Sequence, residues 1–412
     1  LLLESLTQFS TLSKQILCEA FVGYPFLTPL RGKCMAMDID NLLRCPLSGL
    51  PVVRVPLREA QMRISGGSPL VTRSPDKAYP LPFGETEFVL LRADEAAAYP
   101  IKFGVPILLG PEVLTVQGKV QKFDLKNSHY AESYSESHFY NQSALADAET
   151  IRTSKSLVSI DSESVQHLSE ISLLGQDERF KFPEPMVRWM SSRMDLGSEA
   201  DCFNFLAPVS DKFILQIGGK GISAVLFLLA GAKSAVLLTP MIGEAVFASE
   251  LAAHFGLADR FAAVIAIAEE MPFLDESFDK AFSGGCVHHM TTELAFPEVA
   301  RVLRAGGAFA AVEPWRAPLY GIGTRIFGKR EANAFCRPLN PARVAPLRSS
   351  FSAASCVQHG SLTRYPMLAL EKIGMKIPLN VAWNIGRCDD GVCSVIPGLR
   401  GMGSGIALLA TK

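Results

Sequence analysis

After Asp211 the chain alternates between two kinds of segment, and this alternation constrains the fold more than any other feature. Near-continuous apolar runs ("FILQIG", "SAVLLT", "AAVIAIA", "KAFSGG", "GAFAAVEP") are separated by stretches with helical spacing ("ISAVLFLLAG", "GEAVFASELAAHFG", "TELAFPEVARVLRAGG"). A strand buried on both faces shows no polar side, so its residues are apolar throughout rather than at every second position. Such strands joined by helices predict a mainly parallel α/β sheet, covered on both faces and built with right-handed crossovers. In such a sheet the ligand crevice lies outside the carboxyl ends of the strands, where strand order reverses. The loops after Ile217, Leu238, Ala266, Phe282 and Val312 are therefore the ones that matter.

The first of these units, Phe213 to Pro240, carries a glycine-rich turn, Gly218, Gly219 and Gly221, but not one Asp or Glu. A nucleotide-type cofactor site normally sets a carboxylate at the first turn or at the tip of the second strand. Here Gln216 and Thr239 stand at those places. A glutamine still accepts a hydrogen bond, without the gain that charge brings.

Upstream, short Pro-, Val- and Leu-rich runs separated by turn signals predict a small, mostly β domain over 38–114, after a leader at 1–37. Residues 115–160 read as a polar linker with short helices, and 161–412 as the α/β domain. Lys+Arg of 40 against Asp+Glu of 41 leaves no basic excess, which argues against a nucleic-acid partner. The nine cysteines form no CxxC pair, so neither a metal nor a redox disulfide is expected, and free thiols fit a reducing cytoplasm. The apolar "AVLFLLAGAKSAVLL" is broken by Gly231, Ala232 and Lys233, a buried helix and strand rather than a membrane span. A small-molecule partner is the expectation; oligomeric state is not legible.

Three ordered blocks carry a resemblance: "AEEMPFLDESFD" (Ala268 to Asp279), "SGGCVHHM" (Ser283 to Met290) and "EVARVLRAGGAFAAVEP" (Glu298 to Pro314). With them the chain from Phe213 onward resembles the class I S-adenosylmethionine-dependent methyltransferases of the type 11 branch. That resemblance implies a Rossmann-like, seven-stranded class I methyltransferase fold with S-adenosylmethionine as cofactor. The N-terminal module, through "LLRCPLSG" (Leu42 to Gly49) and "AAAYPIKFGVPILL" (Ala96 to Leu109), is similar to the zinc-ribbon-like Trm112 domain. Of that domain's first cysteine pair only Cys45 remains, with Ser48 in its partner's place, so packing rather than zinc must hold the module together.

The resemblance places Gln216, Gly218, Gly219, Gly221, Thr239, Glu269 and Ser283 around the cofactor, with Glu244 a second candidate near Thr239. Ile267 stands where an adenine-side Asp is usual. Lys220, inside the turn, either faces the ligand, where it opposes a sulfonium, or points to solvent. His288 and His289 follow the fourth strand, where substrate-facing groups sit, and are candidate proton acceptors. Adjacent residues point in different directions, so at most one of them enters the crevice and a shared metal site is not expected. Cys286 reads as a small buried residue. Glu313 and Arg316 end the fifth strand, either facing substrate or pairing with one another. The expected activity is methyl transfer to a small molecule. The alternative is a methyltransferase-fold protein that has lost ordinary cofactor binding and either catalyses another reaction or serves as a scaffold.

Overall fold

The computed structural model describes residues 37–72, 87–116, 128–154, 157, 168, 195–318, 321–322, 337–375 and 377–412. The leader, apart from Met37, lies outside them, and so, apart from Leu168, do "SVQHLSEISLL" and "FPEPMVRWMSSRM", whose sequences read as helices leading into the α/β domain.

The α/β part is built on a seven-stranded sheet. Its strands are β7 (Phe213–Ile217), β8 (Ser234–Thr239), β9 (Phe261–Ile265), β10 (Phe278–Gly284), β11 (Leu303–Pro314), β12 (Ala353–His359) and β13 (Gly405–Thr411). Their order is β12-β13-β11-β10-β7-β8-β9, and only β13 runs against its neighbours. The chain steps outward from β7 to β9, then restarts beside β7 with β10. Strand order therefore reverses between β7 and β10, and their carboxyl ends flank the switch point. The apolar runs became strands because both faces are covered: β9 is buried at all five positions and β8 at five of six.

Helices α3 (Leu196–Leu206), α4 (Ile222–Leu229), α5 (Ile242–His254) and α6 (Thr292–Val302) cover this sheet. Near the C-terminus follow α7 (Pro341–Ser350), α8 (Arg364–Lys372) and α9 (Leu379–Val395). Two large cores form on opposite faces, one containing Phe203, Phe227, Phe247 and Phe282, the other Phe273, Phe278, Phe296 and Phe309.

The N-terminal module comprises β1 (Val52–Pro56), α1 (Leu57–Ser65), β2 (Leu70–Thr72), β3 (Phe88–Arg92), β4 (Ala98–Lys102), β5 (Val105–Pro106) and β6 (Leu114–Val116). Its antiparallel sheet runs β1-β3-β4-β6-β2, with β5 paired to β4. The module has a small core of its own, Val55, Ala60, Val89, Leu91 and Ala98, and its other face packs on the large domain. Leu43, Cys45, Tyr99 and Leu108 share a core with Val264 and Phe273, and the Leu108 N–H donates to Ile265 O at 2.8 Å. That contact covers β9, the edge of the large sheet, where unpaired backbone would otherwise face water.

The segment read as a linker with short helices is different in kind: it holds one 24-residue helix, α2 (Ala131–Ser154), packed along α5. Small residues permit the approach, because a Cβ on Gly243 would lie 2.6 Å from the Asn141 carbonyl oxygen. Among the described residues no helix is long and apolar enough to cross a membrane.

Candidate functional site

Gly218, Gly219 and Gly221 all have φ near +75°, at +76°, +74° and +76°, a region closed to most L side chains, and so link β7 to α4 in a tight turn. A Cβ on Gly218 would sit 2.6 Å from Cys286 Sγ, and one on Gly221 2.4 Å from the Ala248 Cβ, so two of the three also need the space. Gln216 is 4% exposed and braces this turn from within. Its Nε2 donates to Gly218 O at 2.9 Å, and its Oε1 accepts from Ala224 N–H at 2.6 Å. The amide expected beside the cofactor is thus engaged in shaping the turn. Lys220 follows neither expected course: its Nζ pairs with Asp147 of α2 at 3.0 Å and lies 5.7 Å above the Phe247 ring.

At the tip of β8, the fully buried Thr239 donates to Glu244 Oε2 at 2.6 Å and accepts from Met241 N–H at 3.2 Å. Burial pushes the Glu244 carboxyl up to about 7, against the Thr239 bond and the charge of Lys220. Asn141 of α2 accepts the Gly243 N–H at 2.8 Å, satisfying one of the free donors at the start of α5. Beyond β9, Glu269 accepts from Thr291 N–H at 2.7 Å, and burial raises its carboxyl. Glu270 pairs with His129 Nε2 at 2.7 Å and accepts from the Tyr130 hydroxyl.

At the end of β10, Ser283 is fully buried and its hydroxyl has no partner among the described residues. The short turn Val287–His289 is capped by Glu313, itself 1% exposed. Glu313 Oε1 accepts from the N–H groups of Cys286 (2.9 Å) and Val287 (2.7 Å), while Oε2 lies 2.8 Å from His288 Nδ1. The two histidine rings do not diverge, their centroids lying 4.1 Å apart, but they make different contacts: His289 turns to α2, where its Nδ1 contacts Glu132 and stands 4.0 Å from Glu136 Oε2. From the other side Arg343 donates to the carbonyls of Val287, His288 and Met290, fixing the turn. Arg316 is exposed and does not pair with Glu313. The Cys286 thiol over the glycine turn is pushed up by burial and by the carboxylates of Glu313, Glu244 and Glu136.

The carboxylates missing from Phe213–Pro240 therefore come from elsewhere: Glu132 and Glu136 from α2, Glu244 from α5, Glu313 from β11. Glu132, Glu136, Asn141 and Asp147 were invisible as site residues because they lie in what read as a linker. The spacing of Glu132 and Glu136, one helical turn apart, was the available signal.

A second ionic cluster lies at the end of β12. There His359 bridges Asp201 of α3 (2.9 Å) and Asp390 of α9 (2.8 Å). Burial works against its charge, but the two carboxylates prevail and push it up to about 9.

Residues 218–311 match the family described as a methyltransferase domain. No curated protein matches the chain. Among solved structures, the geranyl diphosphate C-methyltransferase from Streptomyces coelicolor A3(2) is similar at 17% identity, over 57% of this chain and 85% of that one, with a TM-score of 0.40. The (4+2) cyclase SpnF is similar at 16% identity, over 69% of this chain and 96% of that one, also with a TM-score of 0.40. The stretch from the glycine turn to β11, which builds both lips of the switch-point crevice, thus matches a methyltransferase-domain family by its sequence.

Proposed function

We propose that this crevice binds S-adenosylmethionine and supports methyl transfer to a small-molecule acceptor. One observation carries the reading: a turn of three positive-φ glycines at the switch point, inside the methyltransferase-domain segment and faced by carboxylates. The residues suit the group. At Gly219 an added Cβ would meet nothing nearer than Gln216 Nε2 at 3.6 Å, so a ligand can approach the backbone there, the Ser283 hydroxyl seeks a partner, and the surrounding acids complement a ligand carrying an ammonium and a sulfonium. When bound, the cofactor supplies an electrophilic methyl group, which leaves sulfur for the acceptor's lone pair.

The chain's own share is position. The backbone of Gly218, Gly219 and Gly221 holds the methionine end, Thr239 with Glu244 the ribose side, and Glu269 the adenine side. His288, fixed by Glu313, and the exposed Arg316 face the acceptor. Holding two reactants in line is worth about 7–11 kcal/mol in favourable cases, enough for most of such a reaction's acceleration. In the same reading the N-terminal module is a metal-free relative of the Trm112 type. The hydrogen bond between Cys45 Sγ and Tyr99 Oη, at 3.1 Å, takes the place of zinc ligation.

A second reading has its own support: α2 lies over the start of α5 and Gln216 is engaged within the turn, which fits a crevice that has given up the ordinary cofactor. Titration calorimetry with S-adenosylmethionine and S-adenosylhomocysteine separates the two. Micromolar one-site binding supports methyl transfer; absence of binding at millimolar ligand leaves the second reading.

A further inference from the structure

Glu132 and Glu136 stand one helical turn apart on α2, so both project from one face of the helix. His289 reaches the same point from the turn after β10. Its Nδ1 contacts Glu132 Oε1 and lies 4.0 Å from Glu136 Oε2, and one ligand atom from each of the three falls within 4.8 Å of the others. We propose that Glu132, Glu136 and His289 bind a divalent first-row transition metal ion, Mn²⁺ or Zn²⁺, at the wall of the crevice.

Charge, donor chemistry and framework all support this site. Two carboxylates and a neutral imidazole balance a divalent ion to zero net charge. Both carboxylates are largely shielded from water, with Glu132 only 9% exposed. The field of Glu136 extends to Glu244 and to Cys286. Carboxylate with imidazole is a donor set for Mn²⁺ and Zn²⁺, whereas thiolate-rich sites select softer ions.

Both contributing elements are anchored independently of the three ligands. Asn141 ties α2 to Gly243, and Asp147 ties it to Lys220. Glu313 and Arg343 fix the turn that carries His289. Three protein ligands are the pattern of a site that keeps a coordination position open. The open position would take an oxygen or nitrogen of the acceptor. That last role rests on the methyl-transfer reading; binding of the ion does not.

The test is calorimetric titration of chelator-treated full chain with MnCl₂ and with ZnCl₂, on wild type, Glu136→Gln, His289→Ala and the control Glu149→Gln. Glu149 lies on the same helix, paired with Arg152. The expected result is one ion per chain for wild type and Glu149→Gln, and loss of that binding in the other two. Glu136→Gln keeps side-chain shape on a partly exposed face, so its loss of binding reports on ligation rather than folding. No binding by wild type, or unchanged binding in both ligand variants, overturns the proposal. S-adenosylmethionine titrated into the same chelated protein keeps the two ideas apart. Cofactor binding without metal binding removes only the metal site; metal binding without cofactor binding removes only the methyl-transfer reading.

Discussion

Gly218→Ala gives a quantitative test of the turn. Two costs combine at this position. At φ +76° an L residue takes the left-handed conformation, worth roughly 1–2 kcal/mol. The new methyl would also sit 2.6 Å from Cys286 Sγ and 2.7 Å from its Cβ, an overpacking that costs about 1–3 kcal/mol. Gly219 shares the backbone cost, at φ +74°, but its nearest neighbour would be Gln216 Nε2 at 3.6 Å, an ordinary contact. Urea unfolding should therefore place Gly218→Ala about 2–5 kcal/mol below wild type and Gly219→Ala only about 1–2 kcal/mol below. Cys286→Gly removes both clashing atoms, so in a double-mutant cycle it should return about 1–3 kcal/mol to Gly218→Ala and nothing to Gly219→Ala. Equal losses for the two alanine variants, or no coupling between positions 218 and 286, would refute the packing assigned to the two lips of the crevice.

Three further outcomes follow from the same contacts. His359, raised to about 9 by Asp201 and Asp390, contributes stability fully present below the ordinary histidine value and lost as pH rises through about 9. Wild type should lose on the order of 3 kcal/mol relative to His359→Gln across that window; parallel pH profiles would contradict the bridge between α3 and α9. Glu244, raised to about 7, favours the fold in its protonated form, so its contribution is full below the ordinary carboxyl value and lost as pH rises through about 7. Glu244→Gln should accordingly gain on wild type in unfolding midpoint between pH 5 and pH 8, and a relative loss over that range would speak against the burial of this carboxyl. Gln216→Ala strips the buried Ala224 N–H of its acceptor, a loss of about 1–3 kcal/mol, and should weaken cofactor binding through the turn; stability at wild-type level would mean that the amide braces nothing.

The sheet was legible because its strands are apolar on both faces, a pattern that survives in "AVLL" and "AVIAI" whatever else surrounds it. The same logic failed for α2. That helix docks largely through polar side chains, Asn141 on Gly243 and Asp147 on Lys220, and through the small Ala144 and Ala148, so it shows no broad apolar stripe. Helix α9, with Gly386 and Gly391 in its interior and Asp389 holding the backbone N–H groups of Leu362 and Thr363, was hidden for a similar reason. The glycines and both histidines could be picked out locally because their places follow from the strand ends. The meeting of Glu132 with His289 spans 157 residues of chain, and only the tertiary fold brings the two together.

A crystal structure with S-adenosylhomocysteine bound would test the central claim most directly. The ligand's amino-acid end should lie over Gly218–Gly221 and its ribose beside Thr239 and Glu244. A ligand bound elsewhere, or crystals that exclude it at saturating concentration, would contradict cofactor binding in this crevice.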